Sequence, residues 1–205
     1  MNYTVTAPDG SITRMTSGPP CPGPNDPALL DSGWEPTMTV TVSRPTPPAP
    51  VDATLFRQVF RRHAAGVAVV TADAGRGAAG VTVTSLASLS SEPPLLSFSI
   101  TGTASAWPHL RDADTAVVHL LGAAHTELAR TFATSGIDRF GAPTRWRRLP
   151  TGEPVLDDAA AWLRISIELR HPAGGSHLVI GRIEEVGLAE HSAPLLYHDG
   201  NFHAL

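Results

Sequence analysis

Between Gly80 and Ile100 the chain reads GVTVTSLASLSSEPPLLSFSI, with Thr82, Thr84, Ser85, Ser88, Ser90 and Ser91 close together. Hydroxyls and backbone amides are neutral donors that can hold the carbonyl edges and phosphate oxygens of a ligand. In an extended strand Thr82 and Thr84 project to one face and Val81 and Val83 to the other, so one face is core and the opposite one offers hydroxyls. After Leu86 the alternation stops, which brings Ser88 and nearby N–H groups toward the same mouth. Glu92-Pro93-Pro94 ends and stiffens the segment, because proline fixes its own φ and restricts the residue before it. The product is a rigid, donor-rich shelf suited to a planar heteroaromatic with carbonyl edges and a phosphate tail. A polar edge strand that blocks aggregation accounts for the same pattern equally well.

Other chemistries find less support. GRGAAG spells G-x-G-x-x-G at Gly75, Gly77 and Gly80, but a dinucleotide loop must open a helix, and VTVTSL follows instead. It reads as a hairpin connection. The run Arg145-Trp146-Arg147-Arg148 is one short basic cluster in a chain of net charge −4, which suits a solvated loop or a small-anion site rather than nucleic acid. None of the nine histidines falls in an H-E-x-x-H arrangement and Cys21 stands alone, so no metal site is expected. His63, His119, His125 and His171 read as structural or surface residues. There is neither a G-x-S-x-G elbow nor a P-loop.

The elements that must position the shelf follow from periodicity. Asp52 or Thr54 caps a helix whose Leu55, Phe56, Val59 and Phe60 share one face, with Gly66 as its stop. VAVVTA is a buried strand, VTVTSL the next, and Leu96, Phe98 and Ile100 mark a half-buried third. TAVVHLL is another strand and AAHTELARTFATSG a helix. WLRISIELRH places Leu163, Ile165, Ile167 and Leu169 inward and Arg164, Ser166, Glu168 and Arg170 outward. HLVIGRIEEVGLA returns as a strand. Short links between strands favour an antiparallel barrel or sandwich carrying a few helices and disfavour parallel winding.

The 205 residues, 42% of them hydrophobic, suffice for one domain with a core. Residues 1–50 hold eleven of the 19 prolines and read as a disordered extension, with Trp34 a possible docking residue and Met38 a possible start of translation. The domain then covers 51–205. No apolar run is long enough to span a bilayer and the N-terminus lacks the regions of a signal peptide, so a cytoplasmic protein is expected, with no membrane and no nucleic-acid partner.

GVTVTSLASLSSEPPLLSFSI also resembles the flavin-binding segment of the flavin reductase-like family, the FMN-binding split barrels. LFRQVFRRHAAGVAVVTA resembles the family's opening helix and first strand, and ARTFATSGIDRF its helix with a following acidic-basic-Phe trio. GGSHLVIGRIEEV resembles its Gly-Asp-His segment, and PLLYHDGNF its closing run. These segments stand in family order from Ala53 to Leu205. The resemblance implies a mainly β, antiparallel split barrel of Greek-key type. It implies flavin contacts at Thr82, Val83, Thr84, Ser85 and Leu86, with Ser88 and Leu89 just beyond. It adds Ser105 and Trp107 from TASAWPHL, Phe132 and Phe140 near the isoalloxazine, Tyr197 in the closing loop, and His177 on the nicotinamide side. Trp107 also fits plain core packing and His177 a strand-end surface position.

The chain departs from the family where TGTASAW lacks a basic residue, so Arg139 or the Arg145–Arg148 run is expected to serve the phosphate. His119 stands for a common Asn, His125 for Gln, and Ser176 for the Asp of Gly-Asp-His. The implied activity is hydride transfer from NADH or NADPH to FMN or FAD, in a homodimer that supplies reduced flavin to a monooxygenase. That chemistry belongs to the cofactor and needs no nucleophile or acid–base triad. A non-catalytic flavin-binding protein, an amine oxidase of the pyridoxamine-phosphate type and a small interaction module are the rival readings.

Overall fold

The computed structural model describes residues 3–6, 12–15, 50–189 and 192–205. The chain divides into two compact units, Met1–Ala49 and Pro50–Leu205. In the first, β1 (Tyr3–Thr6) pairs antiparallel with β2 (Ile12–Met15), although this stretch was expected to lack structure. Trp34, Met38 and the rest of that expectation lie outside the described residues.

The second unit opens with α1 (Ala53–Arg61). Asp52 caps it by accepting from the N–H groups of Thr54 and Leu55 at 3.0 and 3.1 Å. The helix ends at Arg61, ahead of Gly66, which belongs instead to β3 (Ala65–Gly66). A seven-stranded antiparallel sheet follows. It contains β4 (Ala68–Ala72), β5 (Ala79–Val83), β6 (Ala87–Ser91), β7 (Pro94–Thr101), β8 (Thr115–Leu120), β11 (Ala161–Ala173) and β12 (Ser176–Leu188), in the spatial order β5-β4-β8-β11-β12-β7-β6. Between them lie α2 (Trp107–Asp112), α3 (Thr126–Ala133) and a small hairpin of β9 (Trp146–Arg148) and β10 (Pro154–Leu156). The chain closes with β13 (Leu195–His198) and β14 (Asn201–Ala204), joined through Asp199 and Gly200 at φ 47° and 83°. Both central residues at positive φ make the tight turn whose twist matches its strands.

Every residue of β4 is buried, because both faces of the strand are covered. Ala68, Val70 and Ala72 join the main core with Phe98, Leu110, Val118 and Ile165. Val69 turns the other way, to a second core under α3 with Phe132, Leu156 and Leu195. The sheet curls until β5 approaches β7. There the Ser85 hydroxyl accepts from the Ser99 N–H at 2.9 Å and donates to the Ser99 carbonyl at 3.1 Å. One side chain thus fills the place a neighbouring strand would take. The GRGAAG segment is the β4–β5 connection, as its sequence predicts. Its Gly75 and Gly77 amides are bound by Asp73 Oδ1 at 2.8 and 3.1 Å, so they hold the turn and no pyrophosphate.

One strand departs from its predicted alternation. Leu163, Ile165 and Ile167 of β11 face the main core. The register with β12 then shifts between Ile167 and Leu169, leaving Glu168 as an extra residue. A bulge exchanges the two faces beyond it. Leu169 is therefore exposed, and Arg170 turns inward, bonding the Leu110 carbonyl at 2.9 Å and the Ala113 carbonyl at the end of α2. No described helix is long and apolar enough to cross a membrane.

Candidate functional site

The hydroxyl segment divides into groups engaged by the fold and groups left open. Val83 is buried and Val81 and Leu86 pack against the main core. Thr82 lies on the opposite face, but its hydroxyl donates to the Ala129 carbonyl of α3 at 2.7 Å. Ser85 is engaged by Ser99. Thr84 is exposed, as are Ser88 and Leu89 on the edge strand β6. The shelf is therefore narrower than predicted: Thr84 presents its hydroxyl outward, while Thr82 and Ser85 hold α3 and β7 in place.

A cavity of about 520 Å³ lies at the Thr84 end of β5. Its lining combines the hydroxyls of Thr84, Ser85 and Ser99, the ionisable side chains of Arg57, Arg61, His63 and Asp199, and an apolar wall of Phe56 and Phe60 of α1 with Tyr197 of β13. The two phenylalanine rings stand 4.5 Å apart, and Tyr197 is backed by Phe202 at 5.2 Å. The sequence pattern places Phe56 and Phe60 on one helical face. That face is open, with Leu55, Phe56, Val59 and Phe60 between 53 and 59% exposed.

The other end of β5 meets a second cavity, of about 280 Å³, lined by Gly80, Ser105, His109, Arg139 and Phe140 among others. Gly80 has no room for a side chain, since a Cβ there would lie 2.6 Å from the Phe132 ring. Phe132 is fully buried and meets Phe140 edge-on at 5.3 Å, so it supports Phe140 from below. Arg139 crosses the mouth. Its guanidinium donates to Ser105 Oγ at 2.9 Å, to the Gly80 carbonyl at 3.1 Å and to the Thr134 carbonyl at 2.7 and 3.0 Å. Among the described residues no carboxylate pairs with it, and burial pulls its pKa below the ordinary guanidinium value. A partly buried cation held only by neutral acceptors favours an incoming anion.

Trp107 and His177 meet elsewhere on the barrel. His177 is the second residue of β12, paired with Ile100 of β7 and Pro172 of β11. Its ring lies flat on Trp107, with centroids 3.8 Å apart and planes 13° from parallel. Trp107, the first residue of α2, is 9% exposed and belongs to the main core.

Residues 60–205 match the family model described as a flavin reductase like domain. A curated NADH:FMN oxidoreductase of Rhodococcus erythropolis is 40% identical, over 86% of this chain and 94% of its own. The chain belongs to the flavin reductase-like domain family. Two solved structures share the fold. A flavin reductase domain protein from Arthrobacter sp. FB24 superposes with a TM-score of 0.71 at 36% identity, over 74% of this chain and 94% of that one. BorF, the flavin reductase component of a bacterial two-component tryptophan halogenase, gives a TM-score of 0.69 at 28% identity, over 75% and 98%.

In this flavin reductase-like domain the arginines expected to serve a phosphate differ in their partners. Arg145 pairs with Asp158, Arg147 with Asp157 at 3.2 Å and Arg148 with Asp73 at 2.7 Å. Arg145, Arg148 and Arg139 all line cavities, but among the described residues Arg139 alone of these four has no carboxylate partner. His119 is fully buried, its Nδ1 3.1 Å from the Val69 carbonyl and its Nε2 accepting from the Leu156 N–H at 3.0 Å. His125 accepts from the Gly122 N–H at 2.9 Å. Both act structurally. Phe56 and Phe60 were not among the predicted site residues, because an amphipathic stripe names a face without naming what covers it.

Proposed function

We propose that this chain is an NADH-dependent flavin reductase that binds FMN along β5. Bound flavin supplies the redox chemistry, accepting the nicotinamide C4 hydride at N5. The observation that carries the reading is the placement of two complementary cavities at the ends of one strand. Gly80 and Thr84 are four residues apart, roughly 13 Å of extended chain. A guanidinium held only by neutral acceptors stands at the Gly80 end, and an aromatic wall with hydroxyls and the Arg57 and Arg61 side chains stands at the Thr84 end. A phosphate at the first and a tricyclic ring against the aromatic wall at the second suit this pair, with the second end's cations near the ring edge that gains negative charge on reduction.

The chain's own residues then have distinct tasks. Arg139, held by Ser105, binds the phosphate. Thr84 and adjacent amides donate to the ring's carbonyl edge, where negative charge grows on reduction. Phe56, Phe60 and Tyr197 exclude water. His177 offers a ring nitrogen to the nicotinamide carboxamide, fixing the approach so that the reacting atoms lie roughly 3–3.5 Å apart. The deciding assay is NADH oxidation with and without added FMN. Stimulation by free flavin is the expected result, and inactivity with every flavin would overturn the reading. NADPH and FAD in parallel assays define the preference for each substrate.

The open apolar face of α1 supports a homodimer, since Leu55, Phe56, Val59 and Phe60 form a contiguous stripe that a second copy would cover. Phe56→Asp with Phe60→Asp is expected to give a monomer by light scattering. A cytoplasmic setting, where NADH is supplied, and delivery of reduced flavin to a monooxygenase or halogenase partner fit the same reading. Co-incubation with such a partner tests the delivery.

A further inference from the structure

We infer that Trp107 is a positioning residue. Its indole face fixes the plane of the His177 ring and so sets the direction from which the imidazole nitrogens meet the nicotinamide nucleotide. The inference rests on the nicotinamide-side role of His177 given above.

The two rings come from separately anchored elements. The His177 backbone is paired on both sides, to Ile100 and to Pro172. Trp107 is buried at the start of α2, whose last turn is held by the two bonds from Arg170. With centroids 3.8 Å apart and planes 13° from parallel, the imidazole has lost one face to the indole. Among the described residues nothing hydrogen-bonds either nitrogen of His177. The stack is therefore the contact that selects its rotamer. Gly102 lies beside the Nε2 edge, where even an added Cβ would come no nearer than 3.4 Å. A histidine near the surface without such support would lose rotamer freedom on binding, which weakens the complex. An aromatic pair is worth about 0.5–1.5 kcal/mol beyond its burial, so the stack is expected to improve nucleotide binding by about threefold to tenfold.

The test compares Trp107→Leu, Trp107→Phe, His177→Ala and the double variant Trp107→Leu/His177→Ala in steady-state NADH oxidation with FMN. Trp107→Leu is expected to raise the KM for NADH about threefold to tenfold, with kcat and FMN affinity within about twofold. Trp107→Phe keeps a flat face and is expected to restore most of the loss. The double variant is expected to be no worse than His177→Ala alone, because Trp107 acts through His177. If His177→Ala raises the KM while Trp107→Leu leaves it unchanged, or if the two effects add in full, the positioning role is overturned and the reading of His177 stands. If His177→Ala leaves the KM unchanged, both fall.

Should Trp107→Leu fail to fold, indole emission decides. A stacked imidazole quenches Trp107, so the emission lost on Trp107→Phe is expected to be larger in a His177→Ala background than in the parent. Equal losses would overturn the stack as the arrangement in solution.

Discussion

Arg139 and the run Arg145–Arg148 lie a few residues apart and have opposite fates. Each arginine of the run closes on a carboxylate of the same domain, and Arg148 also covers the Trp146 ring at 5.6 Å. Arg139 meets only carbonyls and one hydroxyl at the mouth of a cavity. The cluster that looks more like a binding site in sequence is a set of tethers, and the isolated arginine keeps neutral partners at a cavity mouth. A polar group's function is decided by whether the fold has already engaged it. The same division separates His119 from His177, and Thr82 and Ser85 from Thr84.

The largest effect on stability should come from an engaged group. Burial pushes the pKa of His119 down to about 4, only partly offset by its bond to the Val69 carbonyl. The unfolded chain binds the proton near the ordinary value of 6.5, so this contribution is complete above that pH and is lost as pH falls toward 4. Chemical denaturation should show about 2 kcal/mol of stability lost between pH 7 and 5 from this residue. His119→Gln should flatten that dependence, and an unchanged slope would remove His119 from the engaged set.

Arg139→Ala should weaken FMN binding by about 10–100-fold in a fluorescence titration, with Arg139→Lys intermediate because an ammonium lacks the planar fork. Ser85→Ala should remove both bonds to Ser99 and, with water able to reach the exposed amide, cost about 0.5–1 kcal/mol of stability, read as a lower Tm. Thr84→Val, close to isosteric, should lower FMN affinity severalfold with little change in Tm. If Ser85→Ala and Thr84→Val gave the same profile, the distinction between engaged and open hydroxyls would fail. Smallest of all, Arg147→Ala should change stability by no more than ~0.5 kcal/mol and leave FMN affinity alone, as expected of an exposed pair.

The fold was legible where periodicity is local. The continuous apolar run of β4, the alternation of β7 and the first half of β11 all announce themselves, because strand side chains alternate with period two. The bulge at Glu168 did not, since it depends on the partner strand's register. The six-residue α2 carries no side-chain cap to mark its start. Thr84 and Ser105 were singled out by residue type and family resemblance, and each lines one of the two cavities at the ends of β5. That Thr82 would be engaged by Ala129 and Ser85 by Ser99 required long-range partners that no local pattern names. The stripe of α1 was equally plain in sequence, yet its exposure was not, because amphipathicity records a preference and not a neighbour.

The inward turn of Arg170 has a mechanical consequence. The long hairpin of β11 and β12 grips the end of α2 through a guanidinium and meets its beginning through the His177–Trp107 stack. Hairpin and helix are riveted at two points, so they should travel as one body when nucleotides enter and leave. Breathing of the barrel can then widen the clefts along β5 without misaligning the imidazole.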